Sequence, residues 1–136
     1  MQTTVRVMAA SLCLLLSACL TPTSLEDRPF SVGVSREFEA EFDRTSIAAV
    51  AALRAQSLPV TTQRSADNVL ILRFERRTDD QGWGEIGRLI VAPVDSGTTR
   101  ITVAYQNRYR LQPTRLTEAE FAAAYFGDVE TALARP

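Results

Sequence analysis

The chain has 136 residues, with 15 Lys and Arg against 16 Asp and Glu, so its formal net charge at pH 7 is −1. This length predicts a single domain, and a charge near zero provides no basic footprint for nucleic acid. The sequence has no His, and its fifteen basic residues are all Arg, which excludes Ser-His and Cys-His pairs, Cys/His zinc sites and Schiff-base lysines.

The N-terminal residues have the layout of a secretory signal peptide. Arg6 precedes a predominantly apolar run over residues 7–16, which is too short to span a bilayer as a helix. The sequence L-S-A-C then ends at Cys19 and resembles the lipobox of bacterial lipoproteins. This resemblance implies that residues 1–18 are removed and that Cys19 becomes a diacylglyceryl cysteine that also carries an acyl chain such as palmitate. The alternative is an ordinary secreted protein, cleaved after an A-x-A-like site.

Removal of residues 1–18 would leave 118 residues, enough for one core that buries roughly two-thirds of the surface of the unfolded chain. The only other cysteine, Cys13, lies in the removed peptide, so the mature domain is expected to have no disulfide. Leu20 follows Cys19, and in the lipoproteins that this sequence resembles a residue other than Asp there permits export to the outer membrane. We therefore expect an outer-membrane anchor facing the periplasm, with the inner membrane and the cell surface as less favoured alternatives.

Residues 19–35 contain Pro22 and Pro29 among polar residues and are predicted to form a flexible tether, within which residues 30–34 could form a short edge strand. Residues 36–136 are predicted to form the domain. Its first strand is expected over residues 36–42, because apolar or small residues there alternate with glutamates.

A helix is predicted over residues 47–56, ended by Pro59. Its candidate N-caps are Asp43, Thr45 and Ser46. Its apolar side is predicted to consist of Ile47, Val50, Ala51 and Leu53.

Four further strands are predicted over residues 60–63, 69–77, 85–94 and 98–111, separated by turn-forming residues at 65–68, 79–84 and 95–97. The chain closes with a helix over residues 117–133, whose start carries a capping box formed by Thr117 and Glu120.

The predicted order is β-α-β-β-β-β-α. Meandering strands with tight turns favour antiparallel pairing, so the fold class expected is α+β, a mostly antiparallel four- to five-stranded sheet with two helices packed on one face. The sequence has F-D at 42–43, A-L-x-x-x-x-L-P-V at 52–60 and N-V-L-I-L-R-F at 68–74. This pattern resembles small periplasmic lipoprotein domains, and the layout over residues 36–133 is similar to the helix-grip modules of an accessory lipoprotein of the outer-membrane β-barrel assembly machine. No functional residue is carried over from that resemblance.

The sheet face without helices is predicted to carry a mixed apolar and cationic surface. Its members are Val69, Ile71, Arg73, Ile86, Arg88, Ile90, Arg100, Ala104 and Arg108. Apolar residues ringed by arginine are typical of a docking surface for a protein, and such a patch could also meet anionic lipid or glycan. The alternative is a solvated face, in which Glu37, Glu39 and Glu41 pair with some of these arginines.

Trp83 lies between two glycines in a predicted hairpin loop, where it could anchor an interface or instead fold back over the sheet. Asp79, Asp80 and Glu85 could act as paired carboxylates for glycan hydrolysis, although acids in a polar loop usually only solvate a turn.

Asp95-Ser96-Gly97 resembles the signature of aspartic proteases, in which two aspartates share a proton. A chain with one copy would have to be a homodimer, and the alternative is a structural turn between two strands.

These observations predict a lipid-anchored, non-enzymatic envelope protein that serves as an accessory, assembly or protein-binding module. Its expected partners are the membrane, through Cys19, and another envelope protein; no cofactor, metal or nucleic acid is expected. One alternative is a carrier for a lipid or other hydrophobic ligand held between helices and sheet. A less favoured alternative is a homodimeric aspartic-type protease that uses Asp95.

Overall fold

A computed structural model describes Leu25 and residues 28–77, 84–109 and 116–136. The elements in chain order are β1 (Val34–Phe38), α1 (Phe42–Ala55), β2 (Val60–Ala66), β3 (Val69–Arg76), β4 (Glu85–Pro93), β5 (Thr99–Asn107) and α2 (Glu118–Leu133). The strands form one sheet in the order β1-β5-β4-β3-β2, and every neighbouring pair is antiparallel. The predicted α+β class, with two helices and a five-stranded antiparallel sheet, is confirmed.

Tight turns join β2 to β3 and β4 to β5. Asp67 and Asn68 have φ angles of 51° and 61° and form the two-residue connection between the paired ends of β2 and β3. Short polar side chains tolerate this left-handed conformation, which is the one that such hairpins require. Between β4 and β5, Asp95 Oδ1 accepts a hydrogen bond of 2.9 Å from the backbone N–H of Gly97.

The core lies between the helices and one face of the sheet. Phe121 of α2 stacks on Tyr105, with ring centroids 4.2 Å apart, and on Phe74, at 5.5 Å. Gly87 on β4 provides the room for this stack, because a Cβ atom there would overlap the ring of Phe74. The hydroxyl of Tyr125 donates 3.0 Å to the carbonyl of a buried α1 residue and thereby links the two helices.

The capping box predicted at the start of α2 is present. The hydroxyl of Thr117 accepts from the backbone N–H of Glu120, and the Glu120 carboxylate accepts from the backbone N–H of Thr117. These bonds satisfy two donors that would otherwise have no partner at the helix terminus.

The first strand and helix differ from their predicted positions. β1 ends at Phe38, and the chain turns there, so the alternation over 36–42 continues through a turn into α1. The three predicted N-caps were wrong: Glu41 occupies the N-cap position, and its side chain makes no capping bond. The helix also presents a different side to the core: Thr45 is buried, while Ile47 is 73% exposed. Alanines form most of the buried side, which lets α1 lie close to its neighbours.

The predicted edge strand over 30–34 is reduced to Val34, the first residue of β1. Gly33 precedes it with a φ of 135°, a conformation that side-chain-bearing residues rarely adopt. A Cβ atom at Gly33 would also overlap the carbonyl oxygen of Val103 on β5. At this glycine the chain therefore passes close to the sheet as it enters β1.

Candidate functional site: the outer face of the sheet

The outer face, defined here as the sheet face opposite the helices, brings together the predicted surface residues. The strand register places Ile71 beside Ile90, and Arg73 beside Arg88. Arg100 lies further along the same face, and Ile86 is paired with Glu75. Arg108, just after β5, is held on this side by its ion pair with Glu75. Cys19 and Trp83, the other predicted site residues, lie outside the described residues, as do Asp79 and Asp80.

Part of this face is covered by the chain itself. Leu25 and residues 28–32, here called the N-terminal segment, lie against it. Leu25 is 2% exposed and packs with Ile86 and Ala104 in a second, smaller apolar cluster. Ile86 is therefore buried. Ile90 is buried as well, whereas Ile71 keeps partial exposure.

Arg88 fastens the N-terminal segment to β4. Its Nη1 donates to the carbonyl oxygens of Leu25, at 2.6 Å, and Arg28, at 2.8 Å, and its Nη2 donates to that of Pro29, at 3.0 Å. The ring of Phe30 lies 5.5 Å from the guanidinium carbon, within the range of a cation–π contact. The predicted tether is thus docked on the domain at Leu25 and at residues 28–32.

Arg88 is the least expected side chain of the site, because it is charged and only 2% exposed. Burial lowers its pKa below the usual value, and the positive charges of Arg73 and Arg28 lower the pKa further. Its Nε is buried and makes no hydrogen bond to the described residues. A buried cation whose observed partners are neutral carbonyl groups favours the approach of an anion.

Two other arginines of the face are in ion pairs. Arg100 donates to Glu37 Oε1 through Nε, at 3.1 Å, and through Nη2, at 2.5 Å. Arg108 pairs with Glu75. The pairing of Arg100 with Glu37 on β1 matches the solvated, salt-bridged alternative, whereas Arg108 pairs with a glutamate of β3. Of the other two glutamates in that alternative, Glu41 occupies the N-cap position of α1 without a side-chain capping bond.

A groove of about 290 Å³ opens on the β2 side of the outer face. It is lined by Phe30, Thr62, Arg64, Ile71, Arg73 and Arg88. Three guanidinium groups, one hydroxyl and two apolar side chains thus surround one depression. The sequence did not identify Arg64, Thr62 or Phe30 as site residues. Thr62 and Arg64 lie in a polar strand that resembles any exposed strand, and Phe30 lies in a stretch that resembles an ordinary tether.

Asp95 and Glu85 are the described residues of the protease and glycan-hydrolysis hypotheses, and both make hydrogen bonds to nearby groups. Asp95 is exposed at its hairpin, where bonding to the Gly97 backbone lowers the pKa of its carboxyl group. Glu85 accepts a 2.9 Å hydrogen bond from the hydroxyl of Tyr105 and lies 3.4 Å from Arg76. These contacts are those of a structural turn and a strand-end cluster.

No protein-family model and no curated protein sequence matches the chain. Within the parts of the chain that the structure describes, none of the helices is both long and apolar enough to cross a membrane. Among those same residues, no group of three or more acidic, His or Cys side chains is placed to hold a metal ion.

Proposed function

We propose that this chain is a lipid-anchored protein of the bacterial cell envelope, held at Cys19 in the outer membrane and facing the periplasm. Its domain acts without catalysis, as an accessory or assembly module that binds another envelope protein. The observation that carries the proposal is the L-S-A-C sequence ending at Cys19, directly after a charged residue and an apolar run of signal-peptide length.

The docked N-terminal segment supports an anchoring role. Leu25 is buried on the outer face, and it lies only six positions after Cys19 in the sequence. Six extended residues reach at most about 20 Å. Lipid on Cys19 would therefore hold the domain close to the bilayer, closer than a free tether over residues 19–35 would.

The edge of the sheet supports binding to another protein. β2 is the outermost strand opposite β1, and six of its seven residues are exposed. A strand at a sheet edge offers backbone N–H and C=O groups to which an extended segment of a partner can add. The carrier alternative receives less support, because Phe121 and its stacked neighbours fill the described space between α2 and the sheet.

Fractionation of cells tests the anchor. Cys19→Ser should remove the chain from the outer-membrane fraction and leave its signal peptide unprocessed or differently processed, while the wild-type chain sediments with outer membranes. A Cys19→Ser chain that still sediments with membranes after unaltered processing would refute the proposal.

Site-specific photo-crosslinking in intact cells tests the partner. A crosslinker at Gln63 on β2 should produce a discrete adduct that is absent with the crosslinker at Ala123, an exposed position on α2. The adduct should weaken when Cys19→Ser is added, because the chain is then no longer held at the outer membrane beside its partner. Equal background from Gln63 and Ala123 would count against a partner on the β2 edge.

A further inference from the structure

The groove on the outer face combines positive charge with apolar walls. Arg64 and Arg73 contribute charge from β2 and β3, and the buried Arg88 contributes its guanidinium from below. Ile71 and Phe30 form apolar parts of the lining. Guanidinium groups bind phosphate strongly because their N–H donors match its oxygens in geometry and charge. The lining therefore suits a phosphate ester attached to an apolar body.

Arg88 supplies an independent indication that the groove takes an anion. It is 98% buried, it lines the groove, and its Nε makes no hydrogen bond to the described residues. The groups whose charges act most strongly on it are two other arginines, Arg73 and Arg28. An anion in the groove would offset this concentration of positive charge.

The path of the chain places this groove towards the membrane. Phe30 belongs both to the groove and to the docked N-terminal segment, and Arg88 lines the groove and holds that segment through its hydrogen bonds. The segment begins at Leu25, which lies within about 20 Å of Cys19. On that segment Phe30 is 54% exposed and Val32 is 39% exposed. Exposed apolar side chains beside arginine are suited to the interface of an anionic bilayer.

We propose that the groove binds the phosphate headgroup of an anionic phospholipid in the membrane to which Cys19 is attached. This inference rests on the anchoring proposed at Cys19. The outer face and the N-terminal segment then lie against the bilayer, and the helices point away from it. The volume of about 290 Å³ is at the lower end of the range for ligand sites, which fits a headgroup. Attachment through Cys19 makes this contact intramolecular, so a weak site suffices.

The test uses the full, lipidated protein in vesicles of phosphatidylcholine with or without phosphatidylglycerol. Ser31, which is exposed beside Phe30, is changed to Cys and labelled with a fluorophore, and a second protein carries the label at Ala123→Cys on α2. Lipids with a quencher at the headgroup report whether each label lies at the membrane surface. Arg64→Gln tests the groove, and Arg54→Gln on α1 removes the same charge from the opposite layer as a matched control.

We expect the label at residue 31 to be quenched in vesicles that contain phosphatidylglycerol, and the label at residue 123 to remain unquenched. Arg64→Gln should lower the ratio of docked to undocked protein about fivefold, whereas Arg54→Gln leaves it unchanged. Inorganic phosphate should release the docked state more effectively than chloride at the same ionic strength.

Three results would overturn the inference: equal quenching at both labels, equal quenching in phosphatidylcholine alone, or equal effects of Arg64→Gln and Arg54→Gln. Equal release by phosphate and chloride would contradict a defined phosphate site, because diffuse attraction depends only on ionic strength. A protein that stays with the vesicles while label 31 remains in water refutes the headgroup site alone. A protein that does not stay with the vesicles refutes the anchor as well.

Discussion

Replacement of Arg88 by Met tests whether one buried cation holds the N-terminal segment on the sheet. Met has a similar length and adaptable shape, so the sheet beneath it should remain packed. The change removes three charge-assisted hydrogen bonds, to the carbonyl oxygens of Leu25, Arg28 and Pro29. Hydration of the released carbonyls offsets much of this loss, and we expect the docking free energy to fall by about 3 kcal/mol.

Hydrogen exchange measures that change directly. The backbone N–H of Val32 donates 3.0 Å to the carbonyl of Pro29, inside the docked segment. At about 1.4 kcal/mol for each factor of ten, its exchange should accelerate roughly a hundredfold in Arg88→Met. Amides in the centre of β5, such as that of Val103, should keep most of their protection. Arg100→Met, which removes the same charge from an exposed ion pair on the same face, should leave Val32 unchanged.

Unchanged exchange at Val32 in Arg88→Met would refute the role assigned to this arginine. An equal acceleration at Val32 and Val103 would refute it differently, because it would mean that Arg88 stabilises the whole sheet and not the segment.

Three further variants test the fold. Gly87→Ala should lower the free energy of unfolding by about 1–3 kcal/mol, measured by urea denaturation, because the added methyl overlaps the ring of Phe74; an unchanged midpoint would contradict the packing described. Gly33→Ala should destabilise the protein by about 1–3 kcal/mol through strain at its positive φ, and a stabilising effect would be inconsistent with that conformation. Thr117→Ala should cost about 1 kcal/mol through loss of the α2 cap. Hydrogen bonds from the backbone N–H of Thr117 and from its hydroxyl lower the pKa of Glu120, so the stability from this carboxylate is complete above its unfolded-state pKa and is lost as the pH falls through its lower folded pKa. Thr117→Ala removes only the hydroxyl bond and should therefore flatten part of the loss of stability on acidification, and an unaltered pH profile would argue against the contribution of that hydroxyl.

The architecture could be predicted because local signals agreed with it. Asp67 and Asn68 suit the left-handed turn that they form, and Thr117 and Glu120 mark the start of α2 by their spacing. The strands of the meander alternate in period two, so the faces of β3, β4 and β5 could be assigned before their pairing was known.

The start of α1 could not be predicted in the same way. Alternation over residues 36–42 indicates a strand, yet tertiary packing ends that strand at Phe38 and starts the helix at residue 42. The buried side of α1 is built mostly from alanines, whose small size carries little directional signal. Ile47, the largest apolar residue near the predicted start, is consequently on the exposed side.

The covering of the outer face escaped prediction for a different reason. Leu25 is an isolated apolar residue in a polar, proline-containing stretch. This stretch lacks the periodic apolar pattern that would indicate a packed helix or strand. Its link to Arg88 spans 63 residues of sequence. An arginine on the face of a strand away from the helices is ordinarily read as exposed, and only the path of the N-terminal segment makes it buried.

The proposed function depends on covalent lipid at Cys19, and the intact mass of protein extracted from membranes tests that modification most directly. We predict a mature chain that begins at Cys19 and carries the added mass of a diacylglyceryl group and a further acyl chain. A chain that begins elsewhere, or an unmodified Cys19, would contradict the account.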